Sequence, residues 1–429
     1  MGETNWRLGV AGLGTVGAGL VSLAQSHPRF APGGAQVTVS GVTARSRGTH
    51  RPIDVSGYAW FDDPVALATS PENDIFVELI GGAEGVARAA VTAALELGKP
   101  VVTANKALIA RHGAELARLA ESKGAPLLYE AAVMGGTPAV KMLREALVGE
   151  EVEAVAGILN GTCNFILSQM EASGQGFAEV LAQAQRLGFA EADPTTDIGG
   201  FDAGHKIVIL AALAFGLAPD LDGALIEGLQ GIELLDLRLA HDLGYRIKLL
   251  AMAGRAADGV RVRVHPALLP LAHPLARADG ALNALFIQGS RIGRIFMEGP
   301  GAGAGPTAAA VAADIAEVIS GARRPVFRRP AQALTTGSRA ASDKALGRIY
   351  LRLLVRDRPG VIASVSETLA EAGVSIDSFL QKPVEGVEGV PIVLTTHPAR
   401  ESVLAEAVQH IAALPALIDA PRMIRIAQI

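Results

Sequence analysis

Through the first third of the chain, short β-branched runs alternate with Ala/Leu-rich stretches, the pattern of βαβ units around a parallel sheet. The pattern predicts strands over residues 8–11, 37–42, 75–79, 100–103 and 127–129, and helices over 14–24, 64–68, 86–97 and 108–122. From residue 135 the texture changes to longer helical segments broken by Gly/Asp/Pro loops, notably 188–200, and then to period-two alternation over 260–264. A glycine-rich turn at 299–307 feeds an apolar run to Ile319, which predicts another helix. Beyond the Arg/Pro-rich stretch 323–330 and the polar stretch 335–344 lie strand 349–355, helix 360–372, strands 374–381 and 390–395, helix 402–414 and strand 423–426. That order is βαββαβ, a complete split-βαβ unit.

The length of 429 residues suits two or three domains. Half the residues are apolar and only 4% aromatic, so the cores are expected to be aliphatic. A net charge of −5 argues against nucleic acid or a membrane surface as general partner, since either favours a basic face, and leaves small molecules. The single cysteine, Cys163, excludes an internal disulfide and a cysteine-based zinc site. The nine histidines show no metal-ligand spacing. The N-terminus lacks the order of a signal peptide, and apolar stretches such as 207–217 fall short of the roughly 20 residues of a membrane helix. A cytoplasmic location is expected.

Gly12-Leu13-Gly14-Thr15-Val16-Gly17 follows the first strand directly and opens the first helix. In that context the first glycine permits a tight turn, the second lets a pyrophosphate approach the backbone, and the third allows close strand–helix packing. A glycine turn without a ligand is the bland alternative. Fingerprints selective for NAD carry an acid at the end of the second strand, where it accepts from the ribose 2′-hydroxyl. Here that end reads Thr43-Ala44-Arg45-Ser46-Arg47, with no acid. Arg45 and Arg47 suit a 2′-phosphate, which favours NADP over NAD, unless they are two solvated surface arginines.

Lys106 stands where a strand ends and a helix begins, the edge at which doubly wound sheets bind ligands. A solvated helix-start lysine has the same pattern. Asp202 and Lys206 are four residues apart and share a helix face, as any surface salt bridge does. That reading leaves Glu191, Asp197 and the apolar run after Lys206 unexplained. The run suggests that the lysine enters the protein.

Taken in order, the 12–17 fingerprint, Thr103-Ala104-Asn105-Lys106, the segment 157–166, the acid-rich 188–206 and the 299–307 turn resemble the homoserine dehydrogenase family over nearly the whole chain. The resemblance implies reversible NAD(P)H-dependent reduction of L-aspartate 4-semialdehyde to L-homoserine, on the route to threonine, methionine and isoleucine. It implies Lys206 as proton donor and Lys106 as a second active-site lysine that also lies against the cofactor. Glu191, Asp197 and Asp202 become substrate carboxylates, Gly161 and Thr162 a backbone contact to substrate, and Gly303 part of the loop that returns to the cofactor. The segment 130–138 resembles the family's interdomain loop, in which Glu130, Val133, Gly135 and Thr137 can hold a monovalent cation such as sodium; a plain Gly-Gly turn fits equally. Two positions depart from the commonest pattern: Phe189 stands where tyrosine is frequent, and Cys163 where Thr or Ser is usual.

Arg356-Asp357-Arg358-Pro359-Gly360-Val361-Ile362-Ala363 is similar to the signature of ACT domains, which implies edge-to-edge pairing and an amino-acid effector, threonine in this setting. A dimerisation unit without ligand is the alternative. The expected fold is thus α/β: a Rossmann-type domain over 1–134, completed by about 299–325; an α+β substrate-binding, catalytic and oligomerisation domain over 135–298; a linker over 326–347; and a βαββαβ ACT domain over 348–429. A homodimer or homotetramer is expected. Competing readings are another ACT-bearing Rossmann dehydrogenase, or an amino-acid sensor without catalysis.

Overall fold

The structure, a computed structural model, describes residues 5–336, 345–382 and 388–429. The nucleotide-binding part runs β1 (Asn5–Ala11), α1 (Thr15–Ser26), β2 (Gln36–Thr43), β3 (Ala59–Trp60), α2 (Pro64–Thr69), β4 (Ile75–Glu78), α3 (Val86–Glu96), β5 (Val101–Thr103), α4 (Lys106–Lys123) and β6 (Leu127–Leu128). Its six strands are parallel and ordered β3-β2-β1-β4-β5-β6. The order reverses between β1 and β4, which opens a crevice at their carboxyl ends. Helices cover both faces, so the strands read as continuous apolar runs: in β4, Ile75 and Val77 face one core and Phe76 the other. At two residues, β3 is too short to leave a periodic signal.

The second part runs α5 (Ala139–Lys141), β7 (Val152–Ile158), α6 (Gly161–Ser173), α7 (Phe177–Arg186), α8 (Thr195–Ile198), α9 (Phe201–Phe215), β8 (Leu225–Ile226), α10 (Leu234–Asp242), β9 (Tyr245–Ala256), β10 (Gly259–Pro270), β11 (Leu282–Gly289) and β12 (Gly293–Pro300). It is a sheet with helices on one face, and α9 lies in the core, buried from Lys206 to Phe215. The sequence texture showed only part of β10. The rest of the sheet is disguised: β9, Tyr-Arg-Ile-Lys-Leu-Leu-Ala-Met-Ala-Gly-Arg-Ala, is rich in helix formers and buried on both faces over Ile247–Ala251, which erases alternation. Next, α11 (Ala304–Ile319) returns to the first domain, where Val311 and Ile315 join the core of Leu8, Val10 and Leu20.

The C-terminal part runs β13 (Leu346–Val355), α12 (Val361–Glu371), β14 (Ile376–Gln381), β15 (Val390–Thr396), β16 (Ala399–Arg400), α13 (Glu401–Ala412) and β17 (Arg422–Ile426). Its strand order is β17-β13-β15-β14, as the βαββαβ pattern requires. One feature goes beyond the expected order of domain, linker and module. Strand β17 pairs in parallel with β10 (Ala267 with Arg425, Leu268 with Ile426), so both sheets merge into one of eleven strands. Ile424 and Ile426 share a core with Ile207 and Leu210 of α9. Nor is the first half of the expected linker free chain. Val326 and Phe327 are buried, and Arg328 donates to the carbonyls of Leu147, Val148 and Glu150. Residues 337–344 of that expected linker lie outside the described residues. Among the described residues, no helix is long and apolar enough to cross a membrane.

Candidate active site

The three glycines of the fingerprint have three different surroundings. A Cβ on Gly12, whose φ is +101°, would collide with the Leu79 carbonyl, and one on Gly17 with the carbonyl of Gly12. A Cβ on Gly14 would meet nothing within 4 Å, so this position faces open space. Gly14 is also the N-cap of α1 and offers no side-chain acceptor, while Thr15 is exposed, Val16 half-buried and Leu13 buried. The first amides of a helix have no partner within it, and its positive end faces outward here. The cradle therefore fits a pyrophosphate on both shape and polarity. Opposite it, the buried Glu78 carboxylate accepts from the amides of Ile80 (2.8 Å) and Gly81 (3.0 Å) and from the Thr103 hydroxyl, which fixes the loop after β4 against Gly12. The sequence reading did not single out Glu78; an acid ending a buried strand was the available signal.

Beyond β2, Arg45 and Arg47 are exposed. The Arg47 guanidinium lies 5.7 Å from the centre of the Trp60 ring, and that of Arg51 lies 5.6 Å from it. Arg51, also missed, donates to the carbonyls of Ser46, Arg47 and Thr49 and thereby shapes the loop that carries the other two.

At the junction of the first two domains the structure brings both predicted lysines onto one carboxylate. Lys106 Nζ is 3.2 Å from Asp202 Oδ1, and Lys206 Nζ is 2.8 Å from Asp202 Oδ2. Asn105 caps α4 through its side chain and so sets the start of the helix that presents Lys106. Lys206 donates also to the Leu159 carbonyl at 2.6 Å. Asn160 Nδ2 bridges Asp197 (2.8 Å) and Asp202 (2.9 Å), while its oxygen accepts from the Cys163 amide and caps α6. Asn160 was quoted only within a longer motif; its place just before a helix was the clue to a cap.

Electrostatics follows from this packing. Burial opposes the Asp202 charge, yet Lys206 and Lys106 together outweigh it and hold the carboxyl well below its usual range. Asp202 in turn raises Lys106 above the ordinary lysine value, against its partial burial and with help from Asp197 and Glu191. Asp197 moves the other way: burial and the neighbouring Asp202 raise it, despite the Asn160 bond. Glu191 is exposed at the rim. Gly161 and Thr162 form the first turn of α6, with the Thr162 hydroxyl donating to the Phe189 carbonyl at 2.6 Å. The Phe189 ring packs on Phe165 at 4.8 Å, and Cys163 is buried, its thiol pushed up by burial.

The 130–137 turn and the 299–303 loop abut each other beside this cluster. Gly135 has a φ of +50° and lies where a Cβ would be 2.7 Å from the Gly301 carbonyl. Gly301 in turn packs on Asn283, which donates to the same Leu159 carbonyl that Lys206 uses. Gly303, φ +125°, caps α11. The Glu130 carboxylate is buried and taken up by the amides of Val140 (3.0 Å) and Lys141 (2.7 Å). Burial and Asp314 raise it to about 7. Among the described residues no group of three or more His, Cys, Asp or Glu side chains could hold a metal ion.

Three family models match the chain: "Homoserine dehydrogenase, NAD binding domain" over residues 12–130, "Homoserine dehydrogenase" over 138–316 and "ACT domain" over 349–416. A homoserine dehydrogenase of Neisseria gonorrhoeae is 39% identical over 427 residues, 97% of this chain and 98% of its own length. The chain belongs to the homoserine dehydrogenase family. It is an NAD(P)-dependent oxidoreductase that interconverts L-aspartate 4-semialdehyde and L-homoserine. The crystal structure of a homoserine dehydrogenase from Thiobacillus denitrificans is similar throughout the enzyme, with a TM-score of 0.90, 40% identity and 99% of each chain covered. A hyperthermophilic archaeal homoserine dehydrogenase in complex with NADPH matches at a TM-score of 0.66 and 27% identity, over 75% of this chain and all of its own.

Proposed function

We propose that Lys206 is the proton donor of this reaction and that Asp202 aims it while holding Lys106 charged. The carrying observation is the shared carboxylate. An ammonium has three donors. Asp202 and the Leu159 carbonyl take two on Lys206, which leaves one for the substrate oxygen. The bound nicotinamide dinucleotide supplies or accepts the hydride. As charge grows on the aldehyde oxygen, an ammonium nearby both stabilises it and delivers the proton. Lys106, on the sheet edge that carries the dinucleotide cradle, completes the positive wall. Glu191 and Asp197 receive the substrate ammonium, and the Gly161 and Thr162 amides its carboxylate. In Lys206→Ala, turnover should fall by about 100-fold or more while NADPH binding by fluorescence titration persists. Wild-type-like turnover would remove Lys206 from this role.

NADP is the favoured cofactor: Arg45 and Arg47 stand at the end of β2 where an acid would select NAD, and a relative of the same family binds NADPH. Gly303 closes on the cofactor from the α11 side. The carbonyls of Glu130, Val133, Gly135 and Thr137 are the donors for a monovalent cation such as sodium, because the Glu130 carboxylate is already occupied. The ACT module senses an amino acid, with threonine the first candidate, within a homodimer or homotetramer. A cytoplasmic setting fits a lone, buried thiol.

A further inference from the structure

Arg422 of β17 and Arg352 of β13 occupy directly opposed positions in the sheet. Like charges at such a pair repel, so each needs a counter-charge. Arg352 has two, Asp236 at 2.6 Å and Glu233 at 3.1 Å. Arg425, three residues along the same strand and so on its other face, is likewise matched by Glu227 at 2.6 Å and Glu401 at 3.2 Å. Arg422 makes no ion pair or hydrogen bond among the described residues, and its Nε is buried without an acceptor. Its guanidinium is not simply turned out to water. It lies across the backbone of Gly231, where φ is +76° and a Cβ would collide with it.

Arg422 and Glu227 both line a cleft of about 420 Å³ between β17 and the segments 199–201 and 226–232. Glu227 gives one oxygen to Arg425 and keeps the other open. Ile226, Ile232 and Ile424 supply an apolar wall. One unmatched cation, one half-used carboxylate and an aliphatic wall are the complement of a small zwitterion with an aliphatic side chain. A phosphate would find one unmatched arginine, since Arg425 in the same lining is already paired with Glu227 and Glu401, together with a repelling carboxylate and no use for the wall.

We propose that this cleft is a binding site for a small L-α-amino acid, with its carboxylate on Arg422, its ammonium on Glu227 and its side chain on the isoleucines. The proposal rests on the regulatory reading of the ACT module and places the effector within one protomer, against the catalytic domain. The route to the active site is short. The Leu229 amide donates to the Ile198 carbonyl at 2.8 Å, and Gly228 packs on that same carbonyl too closely for a Cβ. Ile198 follows Asp197, which Asn160 ties to Asp202. An ammonium drawn to Glu227 competes with Arg425, displaces the 227–229 segment and thereby shifts Asp197. The sign of the effect depends on which arrangement of this segment the ligand favours.

The test uses the full chain. Calorimetric titrations with L-threonine, L-isoleucine, L-methionine and inorganic phosphate are run at saturating homoserine, which suppresses competition at the substrate site, alongside initial rates under the same conditions. At least one amino acid should bind at one site per chain and change the rate. Arg422→Gln should weaken that binding by about tenfold or more, because a charge-assisted bond is lost. Its rate without ligand should stay within about twofold of wild type, since the side chain lies outside the active site. Arg422→Lys should recover part of the binding. Arg422→Gln should melt no lower than wild type, since it relieves a like-charge pair. Unchanged amino-acid binding in Arg422→Gln overturns the site while leaving the regulatory reading intact. Tighter binding of phosphate than of any amino acid also overturns it. No binding and no rate response to any amino acid in the wild type overturns both.

Discussion

Lys106 from the nucleotide-binding domain and Asp202 from the catalytic domain meet at 3.2 Å across the boundary between them. Because the other oxygen of the same carboxylate holds Lys206, one side chain ties the contact between the two domains to the aim of the inner lysine.

Asp202→Asn should therefore act on both lysines. Lys106 is held charged above its ordinary range by Asp202, so its pairing persists until pH rises through that elevated value. Without the aspartate Lys106 loses the charge that raises it and titrates lower. The alkaline limb of the kcat/KM profile should move to lower pH, with a loss of about 100-fold or more at neutrality. Removing one partner of a buried pair should also cost about 3–5 kcal/mol, read in urea melts. An unshifted alkaline limb would show that Asp202 does not control the lysines.

The fingerprint glycines should separate folding from cofactor binding. At Gly14 a methyl meets no protein atom, so Gly14→Ala should melt near wild type yet raise the KM for NADPH by about tenfold or more, as the pyrophosphate loses its approach. At Gly17 a methyl meets the Gly12 carbonyl, so Gly17→Ala should lower the melting temperature itself. Equal behaviour of the two variants would contradict the division of roles.

Coenzyme choice should depend on the loop after β2. Arg45→Ala with Arg47→Ala should weaken NADPH binding by about tenfold or more and leave NADH within about twofold, since only NADPH carries the 2′-phosphate. Arg51→Ala should do the same less strongly, through loosening of the loop whose carbonyls it holds. Parallel losses for NADH and NADPH would assign the arginines to the fold rather than to the phosphate.

Lys248 supplies a pH dependence unconnected with catalysis. Its ammonium lies buried, donating to Asn164 (2.8 Å) and the Ala278 carbonyl (2.6 Å), and burial together with Arg246 lowers it to about 8. The folded chain thus gives up this proton earlier than the unfolded one. The contribution is fully present above the ordinary lysine value of about 10.4 and is lost as pH falls through the folded value. Urea stability should rise from this group between about pH 8 and pH 10, and the rise should be absent in Lys248→Met. Identical slopes for the two proteins would show that Lys248 remains charged in the fold.

How far the sequence carried can be seen residue by residue. The parallel sheet was readable because its inner strands are apolar runs punctuated by a glycine or a helix start, as at Gly12 and Asn105. The split-βαβ order was readable because its short β-rich runs are separated by two longer helical stretches. The second sheet was not, because β9 combines helix-forming residues with burial on both faces, and because β8 has only two residues. In the site, the charged residues announced themselves by type and spacing. Asn160, Glu78 and Arg51 did not: Asn160 and Glu78 tie side chains 25 to 42 positions apart, and Arg51 bonds to the carbonyls of its own loop, an arrangement without a spacing signal. The merger of β17 with β10 left no local trace at all: the register is set by contacts more than 150 positions apart.

That merger bears on the order in which the protein can be made. Strand β17, synthesised long after β10, sits between β10 and β13 rather than at an edge. Until β17 emerges, the catalytic sheet carries unpaired amides and carbonyls at Ala267 and Leu268 of β10, beyond the stretch that β8 covers, the kind of margin that invites pairing with another chain. The enzyme's vulnerable period thus lasts until β17 has been made. A chain cut before Arg422 would lack the strand that seals the catalytic domain.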